Sequence, residues 1–163
     1  MTLLSDTRPH RPVGWMMAAA LAVVAGAGTL SAAAHAGATR STGTTVKVTK
    51  NATLGRLLVT SNGRTLYVFL KDRGAKSTCY GSCATYWPPL LTTSKAVAGT
   101  GTRSSLLGTT RRKDGKLQVT YDHHPLYLFK LDTKAGMTAG EGLTEFGAKW
   151  YAVGPGGGKI DND

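Results

Sequence analysis

GRLLVTSNGRTLYVFLKD, from Gly55 to Asp72, returns sixty residues later as GKLQVTYDHHPLYLFKLD, from Gly115 to Asp132. Laid over each other without a gap, the two stretches share Gly, Leu, Val, Thr, Leu, Tyr, Phe and Asp, eight identities in eighteen positions. Self-similarity at a fixed period is the mark of a duplicated structural unit. Inside the first copy, Leu57 to Thr60 and Thr65 to Leu70 flank Ser61-Asn62-Gly63-Arg64. Asn-Gly between two such runs is the strongest short-range signal for a tight β-hairpin, because both residues tolerate positive φ. In the second copy Leu117 to Tyr121 and Leu126 to Leu131 flank a turn at Asp122 to Pro125.

Working outward, each hairpin gains one strand on its N-terminal side. Val46 and Val48 alternate with Lys47 and Thr49 before a turn at Asn51 to Gly55, and Leu106 to Arg112 leads to an Asp114-Gly115 turn. Each half therefore reads as a three-stranded meander. Both then run through a Gly-containing link to a tryptophan: Tyr86-Trp87-Pro88-Pro89-Leu90 in the first half, and Trp150 to Val153, a closing strand, in the second. The proline pair argues against a central strand at the first of these, since proline cannot donate to a ladder. The expected fold is all-β: two tandem pseudo-symmetric meander repeats forming one small sandwich- or barrel-like domain.

Repeat one covers about residues 46–91 and repeat two about 105–153, joined by a surface linker of small residues from Thr92 to Ser104. Gly154 to Asp163 reads as a disordered Gly-rich tail. At the other end, Arg8, His10 and Arg11 precede an apolar run from Trp15 to Leu30 that closes in Ala34-His35-Ala36, the pattern of a secretory signal peptide. Residues 1–36 are read as that signal, with cleavage after Ala36 and a flexible spacer at 37–45; the rival reading is an uncleaved N-terminal anchor. Export places the protein outside the cell, where it is read as a released or cell-wall-associated secreted protein with no transmembrane segment in the mature chain.

From Gly37 onward, 18 Lys and Arg stand against 8 Asp and Glu, a formal charge of +10. The charge is dispersed apart from Arg111-Arg112-Lys113. On an exported protein it suits attraction to anionic cell-wall polymer or a membrane surface; nucleic acid is a poor candidate partner there. The only cysteines, Cys79 and Cys83, lie in the exported part, where disulfides persist, so they are read as a local disulfide, with a redox pair or soft metal ligands as the alternative. Three intervening residues rather than two, and no surrounding βαβ pattern, argue against a thioredoxin-like motif.

The feature repeated most regularly is Tyr-x-Phe-x-x-Asp, as Tyr67, Phe69 and Asp72, then Tyr127, Phe129 and Asp132. Tyr67 and Phe69 share one strand face; Leu66, Val68 and Leu70 share the other. Asp72 belongs to the turn beyond. One account makes the tyrosines core residues and the aspartates turn acceptors; the sharper one makes both Tyr/Asp sets converge on one ligand or cation. Together with Cys-x-Gly-x-Cys-Ala-x-x-Trp-Pro-Pro-Leu from Cys79 to Leu90, this repeat resembles the bacterial family of secreted repeats and predicted lipoproteins named for a Y-x-[FWY]-x-x-D motif. The resemblance runs from about Leu54 to Val153. It implies an exported, modular protein and supplies no reaction. Many members of that family carry a lipobox cysteine; Ala34-His35-Ala36-Gly37 contains none.

No Gly-x-Ser-x-Gly elbow, His-Glu-x-x-His pair or phosphate-cradling glycine loop is present. Glu141 and Glu145 read as solvated rather than as a catalytic dyad, and His123-His124 as surface residues of a turn. Tyr80, Tyr86, Trp87, Trp150 and Tyr151 fill the repeat junction or, if the two tryptophan regions meet, floor a candidate aromatic groove for a sugar or flat cofactor. The sequence thus reads as a non-enzymatic, secreted, envelope-associated binding module with no metal or cofactor. The alternative is an extracytoplasmic redox or metal-binding protein using Cys79 and Cys83.

Overall fold

The computed structural model describes residues 43–161. The expectations for the signal peptide, its cleavage site and most of the spacer lie outside those residues. In chain order the elements are β1 (Thr45–Asn51), β2 (Gly55–Thr60), β3 (Tyr67–Phe69), a single helical turn α1 (Ser82–Tyr86), β4 (Leu91–Thr92), β5 (Val97–Ala98), a 3-10 turn (Ser104–Leu106), β6 (Leu107–Arg111), β7 (Leu117–Tyr121), β8 (His124–Pro125), β9 (Thr144–Glu145) and β10 (Ala148–Ala152). Three small sheets result, ordered β2-β1-β5, β3-β10-β9 and β4-β7-β6, with β8 also on β7. None closes into a barrel, so the domain is sandwich-like. Among the described residues no helix is long and apolar enough to cross a membrane.

The duplication is visible in the ladders. β1 and β2 pair antiparallel from Val46 opposite Thr60 to Asn51 opposite Gly55, and β6 and β7 pair from Leu107 opposite Tyr121 to Arg111 opposite Leu117. Leu58 donates its N–H to Val153 and accepts from Leu66; Val119 donates to Leu90 and accepts from Leu126. Val119 therefore stands where Leu58 does, 61 positions on, whereas the Tyr-x-Phe-x-x-Asp segments stand 60 apart. The one-residue difference sits in the hairpin turns. Thr60 to Arg64 makes a wider turn with Gly63 at φ 85°, while the second turn needs only Asp122 and His123, both left-handed, before His124 pairs with Tyr121. A gapless overlay of the two sequence stretches hides this step.

After its hairpin each half sends its closing segment to the other half. β10 runs antiparallel to β3, with Trp150 opposite Phe69 and Ala152 opposite Tyr67. The Trp87–Leu90 segment of the first half lies beside Leu126 to Lys130 of the second: Leu90 donates to Leu126, Leu128 to Pro88 and Lys130 to Tyr86. The two prolines are accommodated because this segment is used mainly through its carbonyls. Tyr67 and Tyr127 exchange both backbone hydrogen bonds, each at 2.9 Å, at the centre of the pseudo-twofold arrangement.

The two strand faces feed two cores. Leu66 and Val68 join Val46, Leu58, Val119, Leu126 and Val153 in an aliphatic cluster, whereas Tyr67 and Phe69 join Trp87, Tyr127, Phe129 and Trp150 in an aromatic one. Leu70, expected beside Leu66 and Val68, is 51% exposed because the strand has ended at Phe69.

Two segments differ from their expected roles. The 92–104 linker is not only surface chain: β5 adds a parallel strand to β1, and Ala96 is buried. The described part of the tail is ordered by backbone hydrogen bonds, Gly154 to Gly158 and Ile160 to Ala152. Its glycines serve a tight return. At Gly157, φ is 95° and an added Cβ would lie 2.4 Å from the Asp122 side chain. The ordered chain also begins before Val46, since the Thr44 carbonyl accepts from Val97 and its N–H donates to Thr92 Oγ1.

Candidate functional site

The two Tyr/Asp sets do meet, and they meet crosswise. The Tyr67 hydroxyl donates to Asp132 Oδ2 at 2.5 Å, and the Tyr127 hydroxyl donates to Asp72 Oδ2 at 2.6 Å. The tyrosine of each copy thus satisfies the aspartate of the other. The second oxygens hold the loops that follow: Asp72 Oδ1 accepts from the Thr78 N–H and hydroxyl at 2.7 and 2.8 Å, and Asp132 Oδ1 accepts from the Ala139 N–H at 2.9 Å. Both tyrosines are fully buried and Asp132 is 1% exposed. Burial, reinforced by the facing carboxylates, pushes both phenols far above the ordinary tyrosine range. Burial also raises Asp72, outweighing the hydrogen bonds from Tyr127 and Thr78 and the charge of Arg112.

Beside these bonds lie three stacked rings and a fourth, Phe129, tilted by 30° on the end of the stack. Trp87 and Trp150 are 4.0 Å apart between centroids and 6° from parallel; Phe69 stacks on Trp150 at 4.0 Å and Phe129 lies on Trp87 at 4.3 Å. Tyr67 meets Trp87 edge-on, as Tyr127 meets Trp150. Both indole N–H groups donate to Glu145, Trp87 to its carboxylate at 2.7 Å and Trp150 to its backbone carbonyl at 3.2 Å. Gly140 closes over the stack, where a Cβ would lie 2.8 Å from Trp87 and 2.9 Å from Tyr67.

The candidate groove of Tyr86, Trp87, Trp150 and Tyr151 is corrected accordingly. The tryptophans are brought together as expected, but both are fully buried and Tyr151 is in the aliphatic cluster, so these rings do not floor an open groove. Only Tyr86 is exposed, 6.3 Å from the Phe146 ring. Large rings are the cheapest way for a small β domain to fill the junction between its halves. Glu141 and Glu145 are half-buried and engaged, where simple solvation was expected: Glu141 accepts the Ala152 N–H at 2.6 Å and Glu145 accepts from both indoles. His123 and His124 are exposed in and beside their turn. Cys79 and Cys83 form a disulfide with Cα atoms 5.3 Å apart, and both are buried against the aromatic cluster. The bond ties the start of α1 to the preceding loop, and the Cys83 carbonyl accepts from the Trp87 N–H at 2.8 Å.

One member of the basic run Arg111-Arg112-Lys113 has a buried role that sequence reasoning did not read. Arg112 is 4% exposed, and its guanidinium donates to Ser77 Oγ at 2.8 Å, Gln118 Oε1 at 2.6 Å and the Cys79 carbonyl at 2.8 Å. Ser77 Oγ lies 2.7 Å from the Tyr127 hydroxyl. With the Tyr127 proton committed to Asp72, the serine hydroxyl donates to the phenol oxygen and accepts from Arg112, so a directed chain runs Arg112–Ser77–Tyr127–Asp72. Gln118 marks the place, a polar residue where the 61-residue correspondence puts Leu57 in the first copy. That signal needs the correct offset to be seen.

No curated protein and no solved structure matches the chain. A family model described as a secreted repeat of unknown function matches twice, at residues 48–91 and 108–154, and these segments contain both crossed Tyr/Asp sets and both stacked tryptophans. The chain belongs to that family of secreted repeats of unknown function.

Proposed function

We propose that this protein is a non-enzymatic module that works by binding anionic polymer of the cell envelope. The observation that carries this reading is the crossed Tyr/Asp arrangement. The residues repeated most faithfully are spent on one another, on loop N–H groups and on the ring stack, so the motif supports a scaffold. What such a scaffold presents outward is charge, a formal +10 from Gly37 onward, and a polyanion is the complementary partner for a secreted protein carrying it.

The test is retention on purified cell wall. At low salt the protein is expected to sediment with the wall, and to be released as ionic strength rises and the Debye length shrinks to about 3 Å near 1 M. Absence of retention at low salt would remove this reading.

A further inference from the structure

Building on that reading, we infer that the cleft between the Cys79–Cys83 loop and the β6–β7 turn is an oxyanion site, taking the phosphate groups of an anionic wall polymer. The cleft has a volume of about 390 Å³ and is lined by Lys76, Ser77, Tyr80, Arg111, Arg112 and Lys113: four cations and no carboxylate. Lys76, Arg111 and Lys113 are exposed at its rim. Arg112 forms the floor, fixed by Ser77, Gln118 and the Cys79 carbonyl.

The cleft is also built rather than merely charged. The Tyr80 ring carries the Arg112 guanidinium 4.4 Å from its centroid and the Lys113 ammonium at 5.9 Å, and the Tyr80 hydroxyl oxygen accepts the Lys113 N–H at 3.1 Å. Arg111 is steadied by donating to the Gly115 carbonyl at 2.8 Å. Two carboxylates lie nearby without lining the cleft: Asp114 meets Arg112 Nε at 3.5 Å and is itself 40% exposed, and Asp72 feels the Arg112 charge but is held by Tyr127 and Thr78. The rim cations Lys76, Arg111 and Lys113 supply the charge-assisted donors that phosphate oxygens accept, while Arg112, its N–H groups largely committed, adds buried positive charge beneath them.

The duplication supplies an independent argument. Under the 61-residue correspondence, Arg111, Arg112 and Lys113 match Lys50, Asn51 and Ala52 at the β1–β2 turn. There Asn51 Oδ1 simply accepts from the Thr53 and Leu54 N–H groups, each at 2.9 Å. A feature the folding unit required would occur in both copies, as the Tyr/Asp bonds and the tryptophans do. The cationic cleft occurs in one. It is moreover wired into the shared scaffold, since the Arg112–Ser77–Tyr127–Asp72 chain makes one half of the motif the support for the cleft floor.

The test uses the chain as exported by its host, isotope-labelled and titrated with inorganic phosphate at an ionic strength held constant with chloride. Saturable amide shifts confined to residues 76–80 and 111–116 are expected. Arg111→Ala/Lys113→Ala should weaken the phosphate affinity about tenfold or more. Lys47→Ala/Lys50→Ala, which removes the same charge from the other hairpin, should leave it unchanged. Shifts that do not saturate, or that spread over lysines across the surface, overturn the site, as does parental affinity in the Arg111/Lys113 pair. The shift map of the parent decides the matter even if that pair folds poorly. Wall retention measured on the same proteins separates the two readings. Wall binding without local phosphate shifts leaves the envelope reading and removes the cleft; local saturable phosphate binding without wall retention does the reverse. Phosphatidylglycerol vesicles form the last arm, and tighter capture by them than by wall polymer overturns the assignment to a polymer.

Discussion

Removing the Tyr67 hydroxyl takes from buried Asp132 the shorter of its two side-chain hydrogen bonds and leaves Oδ2 without that donor. An orphaned buried acceptor costs about 1–3 kcal/mol, so Tyr67→Phe should lower stability by about that much, read as a fall in the urea midpoint at constant m-value. Tyr67→Phe combined with Asp132→Asn should cost less than the sum of the two single changes, because both remove one interaction; strict additivity would show that the pair is not coupled. The phenols also set an alkaline limit. Folding raises both tyrosines above their ordinary value of 10.0, so their contribution is fully present below about pH 10 and is lost as pH climbs toward the folded values. Two such groups give a downward slope of about 1.4 kcal/mol per pH unit at pH 10, where the unfolded phenols are half ionised, steepening toward about 2.7 near pH 11 and above. Stability measured between pH 10 and 11 checks this, and Tyr67→Phe/Tyr127→Phe should flatten the slope; an unchanged slope in that variant would refute the assignment. Asp72, also raised, has the same sign at the acid end: its contribution is present below about 3.8 and declines as pH rises through its folded value, so protonating it does not drive acid unfolding.

The hairpin turns and the disulfide loop are where elements were hardest to read from local pattern. Alternation correctly separated Tyr67 and Phe69 from Leu66 and Val68, since a side-chain period of two follows from the strand itself. The one-residue difference between the turns was invisible, because Asp122-His123 carries no Asn-Gly signal yet holds φ values of 46° and 64°. Asp and His tolerate the left-handed region better than most residues, but still at a cost that glycine avoids. His123→Gly should therefore raise stability by up to about 1 kcal/mol, read from the thermal midpoint, and a fall would mean that His123 makes a contact worth more than the strain. The Cys79–Cys83 loop is short, and the chain-entropy model assigns its closure about 2 kcal/mol. Cys79→Ser/Cys83→Ser should lower stability by about that much while the protein still folds. The loop also supplies the Cys79 carbonyl to Arg112, so the same variant should widen the cleft and weaken phosphate binding; loss of stability with parental phosphate affinity would detach the loop from the cleft.

At the scale of the whole molecule the decisive feature is the exchange of closing segments. A meander can be inferred from neighbouring residues, but β10 lying on β3 and Trp87–Leu90 lying beside Leu126–Lys130 are pairings between distant parts of the chain, and nothing in local periodicity selects the partner. The crossed Tyr/Asp bonds and the shared ring stack follow from that exchange, which is why the motif was legible as a repeat while its partners were not. The same exchange determines cooperativity. An isolated first half, ending near residue 103, would keep β1 and β2 but expose Tyr67, Phe69 and Trp87 with their stacking and hydrogen-bonding partners gone; the second half would be stripped symmetrically. Each half, about 60 residues long, is also marginal in the surface it can bury against its conformational entropy. Neither half should fold alone, and an equimolar mixture, oxidised at Cys79 and Cys83, should recover the near-ultraviolet circular dichroism of the stacked tryptophans. A half that gave a cooperative thermal transition by itself would show that the repeats are independent domains, and that the crossed bonds join two finished folds instead of completing one.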